Sequence, residues 1–167
     1  EDIIRSKITN TSVIERKEIP KKEIIKKKYD KYDISEIRIL YLMMNNPELI
    51  KYYENNLGYL INKDRKKLAG EIINYKNRNK TFDLGDFICY TMQSKELEEV
   101  FNSVMEYPNI DSYSMEEVDA YINVIKYKSV KDRIDVLKKE MKNTIDIEEK
   151  KKLADRILKM ERELLKW

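Results

Sequence analysis

SMEEVDAYINVIKYKSVKDRIDVLKKEMKNTIDIEEKKKLADRILKMERELLKW, residues Ser114 to Trp167, decides the fold. Val118, Ile122, Ile125, Val130, Ile134, Leu137 and Met141 recur every three to five residues, the period of a helix with one apolar stripe. Ser114 and Glu117 have capping-box spacing, in which hydroxyl and carboxylate satisfy backbone N–H groups that lack an intrahelical partner. Asp146 and Glu149 repeat that spacing and open a second helix near Ile147, with Leu153, Ile157, Met160, Leu164 and Trp167 as its apolar positions. Asn143-Thr144-Ile145 is long enough for a tight connection. The chain therefore closes on a two-helix hairpin.

Two helices of this length bury little surface against each other and are marginal alone in water. The hairpin must lean on the rest of the chain or on another protein. Leu158 and Leu165 stand beside Ile157 and Leu164, which widens the apolar face of the last helix beyond what one seam requires. This points to a docking face at the end of a stalk as well as to a wide core face.

Working outward, Ser94 is positioned to cap a helix Lys95–Glu106 with Leu97, Val100, Phe101 and Val104 inward, and Tyr107-Pro108-Asn109 stops it, since a residue before proline avoids helical dihedrals. Asp83 caps a shorter helix through Phe87, Ile88 and Thr91. Asn77-Arg78-Asn79-Lys80 is a polar break, and Asn62 caps a helix over Lys63–Lys76 with Leu68, Ala69, Ile72 and Tyr75 on one side. Gly58 ends the helix Glu48–Leu57, which begins with Asn46 as N-cap and Pro47 in its first turn. Asp33 with Glu36 gives a further capping signature before Ile37, Leu40, Tyr41 and Met44, a helix ending near Asn45. Five short helices and one long one predict an all-α fold: a compact bundle of short helices joined by a long helix to a C-terminal helical hairpin.

Composition agrees. The 167 residues include three Gly and three Pro, a scarcity that favours long helices over many strands. Hydrophobic residues at 41% and charged ones at 39% allow a core under a heavily charged surface and argue against disorder throughout. Lys and Arg number 34 against 31 acids, so the net charge of +3 leaves no global nucleic-acid footprint. The lone Cys89 excludes an internal disulfide, and the absence of His removes the commonest metal ligand and general base. No run approaches a membrane span, and EDIIRSKITN is not a signal peptide, so a soluble cytoplasmic protein is expected. The start at Glu1 reads as a portion of a longer chain.

Residues 1–33 differ from the rest, with no steady periodicity and a cluster of Lys21, Lys22, Lys26, Lys27, Lys28 and Lys31. They read as a charged linker or the tail of an upstream domain, followed by a bundle over 34–128 and a hairpin over 129–167. A basic arm touching phosphates is the alternative.

The sequence carries no recognisable catalytic constellation. Glu98-Glu99 and Glu116-Glu117 are its closest approach to paired acids, and all carboxylates fall on polar faces or caps. There is no phosphate-binding glycine loop, no nucleophile with a base and no Asp-x-Asp signature. Cys89 beside Ile88 reads as a small core filler, and Tyr52, Tyr53, Tyr121 and Tyr127 as the rim of a core. No catalytic, cofactor-binding or metal residue is assigned.

SEIRILYLMMNNPELIKYYENN, followed by INKDRKKLAGEIINY, resembles the C-terminal helicase-binding domain of bacterial DnaG-type primases. Ser35-Glu36-Ile37-Arg38-Ile39-Leu40 with Met43-Met44 stands for that family's A-E-x-x-L-L-x-x-M-M helix. Asn62-Lys63-Asp64-Arg65 with Leu68 stands for its E-H-R-x-L helix and lacks the His, and Asp119 to Ile122 is similar to its D-Y-I entry into the long helix. The likeness runs from about Ile34 to the C-terminus and rests on the order and lengths of the elements more than on single motifs. It implies a bundle that modulates the replicative hexameric DNA helicase and a hairpin that docks on that helicase's N-terminal domains during DNA replication. Zinc-binding and primer-synthesising domains, with zinc and magnesium, would lie upstream, and this part of the chain would hold no cofactor and no active site. The docking face would be Ile157, Leu158, Leu164, Leu165 and Trp167, with Lys159, Glu161, Arg162 and Lys166 around it. Relatives can carry a Pro where the long helix passes from bundle to hairpin; Tyr127-Lys128-Ser129-Val130 has none, and a continuous helix is expected. Other readings are the helicase's own N-terminal domain, a single-stranded nucleic-acid binder using the basic arm and tyrosines, and a coiled-coil scaffold.

Overall fold

A computed structural model of the protein describes residues 29–79, 81–107 and 112–165. Most of the basic cluster, Lys80, the Pro108-Asn109 stop, Lys166 and Trp167 lie outside the described residues. Among those described, the fold is all-helical: α1 (Lys31–Asn45), α2 (Glu48–Asn56), α3 (Lys63–Arg78), α4 (Leu84–Thr91), α5 (Lys95–Met105), α6 (Met115–Asn143) and α7 (Ile147–Leu164). Helices α1 to α5 and the first half of α6 enclose one core, and the second half of α6 pairs with α7 around another.

α1 begins one turn earlier than its sequence suggested. Its capping box is Asp30 with Asp33: the Asp30 carboxylate accepts from the Tyr32 and Asp33 amides at 2.8 Å, and Asp33 reaches back to the Asp30 amide. Both Asp30-x-x-Asp33 and Asp33-x-x-Glu36 carry the spacing, and tertiary structure selects the first by drawing Glu36 inward. Glu36 is 3% exposed and does not sit on a polar face or cap as expected for every carboxylate. It accepts from the amides of Ile61 and Asn62 and from Arg65 Nη1 at 2.7 Å, while Arg65 Nη2 donates to Asp33 at 2.7 Å. This network fastens α1 to the start of α3, where Asn62 also caps the Asp64 and Arg65 amides. Burial, then the Glu36 charge, pushes the nearby Tyr53 phenol well above its ordinary value.

Asn46 does not cap α2. Its side-chain amide donates to the Leu42 carbonyl and so closes the C-terminus of α1, leaving Pro47 to enter α2 without a side-chain cap. Gly58 ends α2 as expected, at φ 70°, with its amide donating to the Tyr53 carbonyl at 2.9 Å. A Cβ there would also meet the Glu54 carbonyl at 3.4 Å. Gly58→Ala is expected to cost roughly 1–2 kcal/mol, the penalty of a left-handed L-residue. Urea unfolding with an unchanged slope checks this, and an unshifted midpoint contradicts it.

α3, α4 and α5 meet through rings: Phe87 is fully buried and lies 5.2 Å from Tyr75 and 6.3 Å from Phe101 between centroids. Cys89 is exposed, not a core filler, because the inward positions of short α4 are taken by Phe87 and Thr91, four residues apart.

α1 and α6 run antiparallel. Lys31 and Tyr32 meet Tyr127 and Lys128, whereas Ile39, Leu42 and Met43 gather with Val118 and Ile122. α6 is helical without interruption through Tyr127-Lys128-Ser129-Val130, as its lack of proline predicted. Its apolar residues do not form one stripe. At about 100° per residue, Val118, Ile122 and Ile125 share a face toward α1, while Val130, Ile134, Leu137 and Met141 lie roughly a third of a turn away, toward α7. Spacings of three to five residues fit both faces, so one helix serves two cores.

Candidate docking surface

The hairpin forms because α6 and α7 each supply one narrow seam. Ile134, Leu137 and Ile157 are buried between them, with Val130, Met141, Leu153, Met160 and Leu164 packed around. Asp146 caps α7 by accepting from the Glu148 and Glu149 amides, without the reciprocal bond from Glu149 that a full capping box would add. Ser94, likewise, makes no side-chain cap bond to α5.

This seam divides the expected docking face. Ile157, at 5% exposure, belongs to the hairpin's own core, and Leu164 packs against it. Leu158 and Leu165 are 51% and 87% exposed. Seven residues apart, they fall on one flank of α7, close to a quarter turn from the seam. Glu161 accepts from Lys138 of α6 at 2.7 Å, a pair that closes this flank of the hairpin, and Arg162 is exposed beyond it. The Lys138 ammonium is accordingly held above its usual range, first by that hydrogen bond. Trp167 lies outside the described residues.

Sequence reasoning passed over Ile145, Ile147 and Val136, which are 94%, 85% and 53% exposed. A signal was present for the first. Ile145 precedes the N-cap, where an apolar residue normally staples to the fourth helical position, and that position is Lys150. The hairpin tip thus presents two isoleucines to water.

The division yields a sharp contrast between neighbours. Leu164→Asp places a carboxylate in the seam and is expected to remove much of the α7 helicity and lower the overall helical signal. Leu165→Asp leaves helicity within a few per cent of the parent. Equal far-ultraviolet circular dichroism for the two variants would contradict the assignment.

Elsewhere the acids have local duties. Glu116 is held below the usual carboxylate range by a helix-terminal amide and then by the Ser114 hydroxyl, and Glu96 by its 2.7 Å bond from Lys67. Tyr52 donates to Asp119 at 2.5 Å, Tyr53 is in the core, and Tyr127 lies half-buried under Lys31. Among the described residues no group of three His, Cys, Asp or Glu is placed to hold a metal ion, and no helix is long and apolar enough to cross a membrane. No family model, no curated protein and no solved structure matches the chain.

Proposed function

We propose that this chain is the helicase-interaction domain of a DnaG-type bacterial primase, with the hairpin docking on the N-terminal domains of the replicative hexameric helicase. The observation that carries the reading is the exposed pair Leu158 and Leu165, set on a hairpin that an unbroken 29-residue α6 carries out of the bundle. The arrangement of helices supports it as well: the two segments on which the resemblance rests meet through Glu36 and Arg65. In this reading the fragment works by physical coupling, and primer synthesis, with its zinc and magnesium, belongs to upstream domains.

Leu158 and Leu165 would enter apolar grooves, with Lys159, Arg162 and Glu163 as a charged rim that sets specificity and register more than affinity. Ile157 and Leu164 act indirectly, by fixing the helix that presents the pair. A face of this size gives modest affinity, so copies on one ring can exchange. Mixing the chain with a purified bacterial replicative helicase is expected to give a co-eluting complex and an altered ATP hydrolysis rate. Separate elution at tens of micromolar of each protein, with unchanged hydrolysis, overturns the proposal.

A further inference from the structure

The exposed face of α7 is longer than the pair Leu158 and Leu165. Ile147, Lys151, Ala154, Leu158, Glu161 and Leu165 follow one another at alternating steps of four and three residues, the spacing of a coiled-coil seam. At about 100° per residue they share one side of the helix, apart from the Ile157 and Leu164 side that packs on α6. Ile147, Leu158 and Leu165 are 85%, 51% and 87% exposed, Lys151 is exposed as well, and Ala154 and Glu161 are half-buried. The row runs about 27 Å, from the first residue of α7 to its C-cap. α7 therefore carries two seams, and among the described residues only the first is covered.

The second seam is its own complement when read backwards. About Arg156 as midpoint, Ile147 and Leu165 stand nine residues to either side, Lys151 and Glu161 five, and Ala154 and Leu158 two. A two-fold axis across the helix lays two copies of α7 antiparallel and sets each residue against its mirror position. Ile147 then meets Leu165, the small Ala154 faces the larger Leu158, and the Lys151 ammonium faces the Glu161 carboxylate, each of these twice. On the side of the seam away from α6, Glu148 comes opposite Arg162, while Asp155 falls against its own copy at the axis, the one like-charged pair. Parallel pairing would instead set Lys151 against Lys151 and Glu161 against Glu161. Glu161 also accepts from Lys138 at 2.7 Å, and Glu148 lies 3.9 Å from Lys152, so both carboxylates are shared with cations of their own chain. Exposed ion pairs add little affinity, so the charges fix direction and register while the apolar layers supply the adhesion.

We infer that a second copy of this chain docks on this face, α7 against α7, antiparallel and in register about Arg156. Four apolar layers make a small interface, and the pairing is weak and reversible. Leu158 and Leu165 are hidden within the pair, so self-pairing and docking on another protein exclude each other. The inference does not rest on the proposed helicase partner, since the pattern of α7 carries it and the chain alone tests it.

The test uses the full 167-residue chain carrying Cys89→Ser, because Cys89 is exposed and would link copies by oxidation. Sedimentation equilibrium from about 5 μM to about 1 mM is expected to show monomers in reversible exchange with dimers, as a small interface implies. Lys151→Glu sets carboxylate against carboxylate in two layers and is expected to weaken pairing at least five-fold. Glu161→Lys, made together with Lys138→Glu so that the pair inside the hairpin keeps opposite charges, is expected to do the same. An equimolar mixture of these two variants restores opposite charges in both layers and is expected to associate within two-fold of the parent. A parent that stays monomeric throughout, variants that pair alone as tightly as the parent, or a mixture no tighter than its components would each overturn the inference.

Discussion

Arg65→Met is expected to lower the stability of the bundle by about 3–5 kcal/mol, the usual cost of stripping one partner from a buried ion pair. Arg65 and Glu36 are both buried, and the guanidinium serves Glu36 and Asp33 at once through 2.7 Å contacts. Without it, Glu36 stays between α1 and α3 as an uncompensated charge. Replacing both partners, Glu36→Leu with Arg65→Met, removes the buried charge but not the whole penalty. The Ile61 and Asn62 amides lose the carboxylate that accepts from them, at about 1–3 kcal/mol for each donor left unsatisfied. Urea midpoints of the two variants check the pair of expectations. A single variant within 1 kcal/mol of the parent, at the resolution of such comparisons, would mean that water or a rearranged side chain compensates Glu36.

Leu158→Asp with Leu165→Asp is expected to weaken helicase binding at least about 100-fold and to leave helicity nearly unchanged. Burying a leucine side chain is worth about 1.5–3 kcal/mol, and each 1.4 kcal/mol is a factor of ten in affinity. Leu158 is already half covered, so its share is the smaller one. The substitutions also place two carboxylates where an apolar groove would have to desolvate them. Neither residue packs in the seam, which is why the fold should survive.

Much of this architecture was legible in the chain because helix ends are local events. Asn62, Asp83, Ser114 and Asp146 each accept bonds from the amides their spacing indicated, and Gly58 takes the positive φ that an L-residue resists. The continuity of α6 followed from a missing proline. What escaped were choices that depend on a neighbour. Asp30 and Asp33 are equally good caps by spacing, and Arg65, distant in sequence, decides between them by drawing Glu36 inside. Ile157-Leu158 and Leu164-Leu165 are adjacent apolar pairs, and only the angle at which α6 lies on α7 determines which member turns inward. The two faces of α6 merged into one stripe in the sequence for the same reason, since periodicity records spacing and not the direction of a partner.

The docking account is tested most directly by titrating the chain, and the chain carrying Leu158→Asp and Leu165→Asp, into a purified bacterial replicative helicase and measuring the dissociation constants. The account predicts saturable binding by the parent and a loss of at least about 100-fold in the variant, at equal helicity, as two buried leucines would require. Equal affinity for the two proteins would contradict it.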